Sequence, residues 1–414
     1  MPLPDHERVA RDHHGIVAGL SARRLATAAL VVVVLCVVGF VAAVGSHWYE
    51  TGDLFCLWHG ARLSAAGKDP YRAATWLAAT AGLYPDVRGG LRPSACPASY
   101  AYPLLTAVAM WPLGMLPLPL AAMAWMALAV GGAIAGTAWS WRAFGGTRRG
   151  APLLAAAAFS SQPFWVLLVG GGQITGFALG AAGLAVLLLA RGGVFAGSAA
   201  LAALALKPQL AFVVGALVAM RGLRERRAAL VAGAAVVLLP LIAVSLLVLP
   251  TWPGEWLHEL TARRLGVAYL LPTAWGLAAS VVGNTAWGAV AVLVVVAAIA
   301  ALLAHRRVSD ADLVAIGLPL SLFATPYAWS YDYLVLVVPW AAVLAYADRS
   351  TARTRWPLTI ATLAVATLLP WSLYAVAFSR GDEALTAVVP ALTALLVALA
   401  IRLRPPRPPL ERFR

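Results

Sequence analysis

The residues best suited to acid–base chemistry lie in the stretch TGDLFCLWHGARLSAAGKDPY, which runs from Thr51 to Tyr71 directly after a long apolar segment. A carboxylate such as that of Asp53 can accept a proton as a general base. The same stretch also predicts a helix, because apolar residues recur at helical spacing from position 54 to 65 and Gly67 suits a helix end. An aspartate in the first turn of a helix stabilises the helix dipole. Both interpretations of Asp53 therefore stay open.

A second group of polar residues interrupts apolar segments later in the chain. Lys207 is one of two lysines beside 29 arginines, and it lies in LKPQ between two apolar half-segments. An ammonium at that position could bind a phosphate, or it could extend to the lipid headgroups. The remaining candidate site residues are His59, Tyr71, Tyr102, Gln173, Gln209, Arg263, Arg264, Tyr331 and Asp332.

Each of these residues also has a purely structural interpretation. Gln173 and Asp332 could cap helices, and Tyr102 and Tyr331 could be aromatic residues of the membrane interface. His59 has no metal-binding partner at ligand spacing and is more typical of a structural histidine. The Arg263-Arg264 pair could be the solvated face of an interfacial helix. The sequence has no zinc, P-loop or Ser-His-Asp pattern, so it indicates no metal-site residues and no certain cofactor, and it leaves a need for a divalent metal open.

Composition places these residues in a membrane protein. Of the 414 residues, 62% are hydrophobic and 12% are charged, against about 25% charged in a soluble domain. Segments such as Leu25–Val44, Ala286–Ala304 and Ala384–Ala400 approach or reach the length that crosses a ~30 Å hydrocarbon core. They do not alternate as the strands of a membrane barrel would. The sequence predicts an all-α polytopic membrane protein.

The net charge of +14 comes from arginine clusters in short loops between apolar segments. That is the pattern of cytoplasmic loops, and it argues against nucleic-acid binding. It predicts a cytoplasmic segment 1–24, a membrane domain 25–402 with an extracytoplasmic loop 46–100, and a basic cytoplasmic tail 403–414. Predicted helices near 228–249, 285–304, 310–326, 332–347, 357–378 and 384–402 bring the total to about 12 crossings.

Two points stay open at this stage. Three apolar segments lie at 101–117, 119–142 and 151–168. The predicted sides of the loops before and after them allow only an even number of membrane crossings, so one of the three does not span. Cys56 and Cys96 lie in the same predicted extracytoplasmic loop, where they could form a disulfide or remain separate thiols.

Five segments, in order, resemble those of glycosyltransferase family 87. They are GDLFCLWHGARLSAAGKDPY, YAYPLLTAVAMWPLGMLP, GGGQITGFALGAAGLAVLLL, ALKPQLAFVVGALV and ATPYAWSYDYLVLVVP, and together they extend over residues 52–340. The first matches an Asp-x-x-x-x-Trp opening and so adds Trp58 to the candidates. Where mannosyltransferases of this family often have paired histidines, this chain has Tyr331 and Asp332.

The resemblance implies a membrane enzyme of the GT-C type, whose essential aspartate lies in the first extracytoplasmic loop. That position is Asp53 here, with Lys207, Arg263 and Arg264 as cations for the donor phosphate and the other candidates binding substrate. The implied donor is a polyprenyl-phosphate sugar, the acceptor a lipid or glycan, and the location a bacterial cell membrane. The alternative is a transporter or flippase for a lipid-linked sugar or anion, although the inverted repeats typical of transporters are absent from the sequence.

Overall fold

The computed structural model describes residues 52–83, 96, 99–169, 172–304 and 308–404, which belong to one compact unit, Trp48–Arg414. Side chains are not described for residues 169, 263–266 and 296–304. All regular secondary structure in this part of the chain is helical, and none of it is strand. The predicted first membrane helix, the segment 1–24 and the tail from residue 405 lie outside the described residues.

The α-helices follow one another through the chain in this order. They are α1 Asp53–Ala65, α2 Ala73–Leu83, α3 Leu104–Ala109, α4 Trp111–Gly114, α5 Leu118–Ala143, α6 Ala151–Phe159, α7 Gln162–Val169, α8 Thr175–Ala190, α9 Val194–Ala202, α10 Pro208–Arg224, α11 Ala228–Val248, α12 Trp252–Glu259, α13 Ala274–Val282, α14 Trp287–Ala304, α15 Asp310–Ala324, α16 Val337–Asp348, α17 Ala352–Leu363, α18 Leu369–Arg380 and α19 Val388–Leu403. Short 3-10 helices lie at Ala203–Leu206, Leu265–Leu270, Ser330–Leu336 and Ala384–Ala387, and π-helical turns at Leu260–Arg264 and Ala364–Leu368.

In the described part of the chain, five continuous helical stretches are long and apolar enough to cross a membrane. They are Leu118–Ala143, Ala228–Val248, Ser330–Asp348, Ala352–Arg380 and Ala384–Leu403. The predicted spans 228–249, 285–304, 310–326, 332–347 and 384–402 each match a helical stretch to within about two residues, and 357–378 lies within Ala352–Arg380. Lys207 does separate two helices as predicted. The all-helical fold is confirmed, while the total of about 12 crossings stays a prediction.

Of the three apolar segments between 101 and 168, the first forms only the short helices α3 and α4. Their six and four residues correspond to about 9 and 6 Å of helix, too short to cross the hydrocarbon core. The segment 119–142 lies within α5, and the segment 151–168 is bent by 58° between α6 and α7. The segment 101–117 therefore does not span as a helix; instead it packs against α1.

The described part of the predicted loop after the first apolar segment contains α1 and α2. Helix α1 begins at Asp53 and ends as the sequence predicts, with Gly67 at φ +65°, a left-handed conformation that suits glycine. Cys56 in α1 is disulfide-bonded to Cys96, so the open question of pairing is settled in favour of a bond. The bond joins α1 to the segment that leads into Tyr100 and Tyr102.

Candidate active site

Asp53 lies at the centre of a group of tyrosine hydroxyls. Its side chain is buried, with 8% of the residue exposed, and its Oδ2 accepts hydrogen bonds from Tyr102 Oη at 3.1 Å and Tyr331 Oη at 3.4 Å. Within the described part of the chain, no donor hydrogen-bonds to Oδ1. The two tyrosines orient the carboxylate through one oxygen and leave the other able to accept a proton.

Tyr102 is held in place by the folded loop. Its carbonyl accepts a hydrogen bond from Tyr71 Oη at 2.7 Å, and its ring lies 5.8 Å from the ring of Tyr100. Pro103 is the residue before α3, and Thr106 within α3 donates to the carbonyl of Leu206 at 2.7 Å. Loop packing and α3 therefore connect Asp53 to the residue that precedes Lys207.

Lys207 is paired with Asp332 inside the protein. The Lys207 Nζ lies 2.5 Å from Asp332 Oδ1, and the two residues are 3% and 0% exposed. The other carboxylate oxygen of Asp332 accepts from the backbone N–H of Trp329 at 3.1 Å, as a helix-capping carboxylate does. Asp332 is thus both a capping residue and the counter-ion of Lys207.

The ring of Tyr331 joins this ion pair to Asp53. Lys207 Nζ lies 4.6 Å from the centre of the Tyr331 ring, a cation–π distance, and the Trp329 ring stacks at 6.4 Å. Asp53, Tyr102, Lys207, Tyr331 and Asp332 come from four separate parts of the chain. The structure brings together these five of the predicted site residues.

Three further candidates have defined packing. The indole N–H of Trp58 donates to the carbonyl of Leu116 at 2.9 Å, in the contact between α1 and the turn after α4. His59 stacks on Phe55 with ring centres 5.2 Å apart, and burial lowers the pKa of the His59 imidazole to about 4. The ring is therefore neutral at pH 7. Gln173 is buried beside Gly172, at which an added Cβ would lie 3.0 Å from Cβ of Leu54.

The remaining candidates have fewer defined contacts. Gln209 is half-buried in the first turn of α10, two residues after Lys207. Arg263 and Arg264 belong to the turn Leu260–Arg264, and their side chains are outside the described atoms. The described residues hold no group of three or more His, Cys, Asp or Glu side chains that could bind a metal ion.

One residue at the edge of this group was not predicted. Glu383 accepts a hydrogen bond from the backbone N–H of Ser330 at 2.9 Å, next to Tyr331. The sequence indicated only a loop at 378–383. Carboxylates are rare in this chain, however, because only 17 of its 414 residues are acidic. That rarity was the one signal that could have marked it.

The fold and this group of residues are those of a helical membrane protein with a buried, polar, carboxylate-centred site. The sequence model for Glycosyltransferase family 87 matches residues 100–326, more than half of the chain. The protein therefore belongs to glycosyltransferase family 87, a family of GT-C-type membrane glycosyltransferases. The matched region includes Tyr102, Gln173 and Lys207 but stops short of Asp53 and Tyr331. Searches of curated proteins and of solved structures each found no match.

Proposed function

We propose that this glycosyltransferase moves a sugar, mannose or another hexose or pentose, from a polyprenyl-phosphate donor to a lipid or glycan acceptor. Asp53 is the general base and the displacement inverts the anomeric carbon. The reaction takes place on the extracytoplasmic side of a bacterial cell membrane, with both termini in the cytoplasm. About 12 crossings surround the site.

The geometry of Asp53 is the observation that carries this proposal. One carboxylate oxygen is bonded by Tyr102 and Tyr331, while Oδ1 is left to take the proton of an acceptor hydroxyl. As that proton leaves, the acceptor oxygen bonds to the anomeric carbon, and the bond from this carbon to the phosphate oxygen breaks. A single displacement needs one such base, whereas a retaining glycosidase pairs two carboxyl groups about 5–5.5 Å apart.

The leaving polyprenyl phosphate takes the bonding electrons and therefore gains negative charge. Lys207 has three N–H donors, and its bond to Asp332 uses one of them. The others can bind a phosphate oxygen, and charge that develops in a water-poor site is stabilised strongly by a fixed cation. Arg263 and Arg264 are further cations for the same phosphate, while Trp58, His59, Tyr71, Gln173 and Gln209 shape the sugar and acceptor sites.

Transfer by the Asp53→Asn variant tests the proposal. Purified protein in lipid nanodiscs is incubated with radiolabelled polyprenyl-phosphate mannose, then with other polyprenyl-phosphate hexoses and pentoses, against a panel of lipid and glycan acceptors. We expect product from the wild type and less than a few per cent of that rate from the variant, because an amide cannot accept the acceptor's proton.

Asp69→Asn is the matched control. Asp69 lies in the same loop, and its contacts among the described residues are a hydrogen bond accepted from the backbone N–H of Tyr71 and an ion pair with Arg72 at 3.6 Å. The Asp69→Asn variant should keep the wild-type rate. Transfer at the wild-type rate by Asp53→Asn would show that the base is another residue. Donor translocation into vesicles without any transfer would instead indicate a transporter.

A further inference from the structure

Glu383 connects three parts of the chain around the residue next to Tyr331. It lies in the link between α18 and α19, and its Oε2 accepts from the N–H of Ser330 at 2.9 Å. Its own backbone N–H donates to the carbonyl of Leu270, also at 2.9 Å. One residue thus fixes the start of the 3-10 helix Ser330–Leu336 against the segment 265–272.

The same 3-10 helix is anchored again one residue after Asp332. Tyr333 Oη donates to the carbonyl of Pro272 at 2.8 Å and lies 3.5 Å from Thr386 Oγ1. The backbone on both sides of Tyr331 and Asp332 is therefore fixed by the Leu270–Pro272 and Glu383–Thr386 segments. The hydroxyl of Tyr331 remains directed at Asp53.

We infer that Glu383 is a positioning residue for the proposed transfer, because its bond to the Ser330 N–H holds Tyr331 in contact with Asp53. The kinetic part of this inference rests on the proposed function, whereas the geometric part does not. Glu383 touches none of the groups that would react. It acts through the backbone of Ser330 and the hydroxyl of Tyr331.

A hydrogen-bond acceptor, rather than a charge, is what this position requires. Glu383 has no cationic partner in the described part of the chain, and burial raises the pKa of its carboxyl group. A glutamine has an amide oxygen at the same place and can accept from the same N–H. A leucine has similar bulk and cannot.

The variants Glu383→Leu and Glu383→Gln separate these requirements. 3-Fluorotyrosine is introduced at position 331 of the full chain, and its fluorine resonance is recorded in nanodiscs for each variant. The Asp53→Asn variant serves as a reference, because it shows how far the fluorine resonance moves when the hydrogen-bond partner of the Tyr331 hydroxyl is altered. We expect Glu383→Leu to move the resonance as well, and Glu383→Gln and the neighbouring control Asp382→Asn to leave it at the wild-type position.

Transfer kinetics supply the second measurement. With polyprenyl-phosphate mannose as the probe, Glu383→Leu should lower kcat by roughly 10- to 100-fold with little change in donor KM, since a misplaced base costs rate rather than binding. Combining it with Tyr331→Phe should cost little more than Tyr331→Phe alone. Glu383→Gln should restore most of the rate.

Ser330→Pro removes both the N–H and the hydroxyl from which Glu383 accepts and leaves Glu383 itself in place, so it covers the case in which Glu383→Leu does not fold. Proline is tolerated at the first position of a helix, and Trp329 before it is already extended. An unchanged fluorine resonance in folded Glu383→Leu or Ser330→Pro would overturn the inference, as would additive losses with Tyr331→Phe. A wild type that transfers no sugar while Glu383→Leu still moves the resonance would refute the proposed function alone.

Discussion

Lys207 and Asp332 are two buried charges that depend on each other. Their attraction offsets the cost of taking both out of water, and removing one leaves the other buried without a counter-ion. A lysine whose ammonium extends to the lipid headgroups is exposed instead, and its substitution would cost the protein little stability. Lys207 is 3% exposed, so the headgroup interpretation is not supported.

We expect Lys207→Met to destabilise the protein by about 3–5 kcal/mol, because the Asp332 carboxylate loses its partner. The double variant Lys207→Met with Asp332→Asn should recover much of that loss, since an amide oxygen still caps Trp329. Thermal unfolding in detergent measures both. Destabilisation in the double variant equal to that in Lys207→Met would contradict the pairing argument. The double variant should still transfer sugar slowly, because the proposed phosphate ligand is gone.

At the scale of elements, helices α5 and α8 approach each other through glycines. A Cβ added to Gly136 would lie 2.3 Å from the carbonyl oxygen of Leu179, and one added to Gly176 would lie 2.3 Å from that of Ala129. Such distances are possible only where both helices present their backbones, as small residues allow in membrane helix pairs. The indole of Trp125 in α5 donates to the Gly172 carbonyl just before α8, so this packing also fixes the segment beside Gln173.

Gly136→Ala should therefore destabilise the protein by about 1–3 kcal/mol, because the added methyl group forces the two helices apart. Gly131→Ala is the matched control in the same helix. Its Cβ would meet no atom within 4 Å, and alanine is the better helix former by roughly 0.5–1 kcal/mol. Melting temperatures in one detergent should fall for the first and hold or rise for the second. The reverse order would contradict the close packing.

At the scale of the whole molecule, two buried or half-buried ion pairs lie at opposite ends of one helix pair. Helices α10 and α15 pack together; α10 begins just after Lys207, and its last turn carries Arg221, which pairs with Asp310 at 3.3 Å at the start of α15. Lys207 and Arg221 are 14 residues apart along α10, which is about 21 Å of helix. That distance is roughly two thirds of a ~30 Å hydrocarbon core.

We expect the two ends to face opposite sides of the membrane. In a Cys36→Ala background, an impermeant maleimide should label Arg72→Cys in intact cells and Arg353→Cys only after permeabilisation. Both positions are exposed, and Cys56 and Cys96 are bonded to each other. Labelling of Arg353→Cys in intact cells would reverse the proposed topology.

Composition and apolar length were enough to predict an all-helical membrane protein, because each span must satisfy its backbone hydrogen bonds internally and remain apolar outside. The sequence also located the helix break at Lys207, the end of α1 at Gly67 and most of the residues around Asp53. These features depend on neighbours in the chain. The family resemblance added Trp58 and the role of Asp53, which spacing alone left open.

Tertiary structure alone decided which polar groups meet. Asp53 and Tyr331 are 278 residues apart, and Lys207 and Asp332 are 125 apart, so no local pattern reveals either contact. The segment 101–117 is apolar enough to suggest a span, but it folds into two short helices against α1. Glu383 looked like part of a polar loop because its partner is a backbone N–H 53 residues away, and a backbone donor has no signature in sequence. Hydrophobicity is a property of each residue and can be read from the sequence. The contact between two polar residues depends on where the packed helices place them.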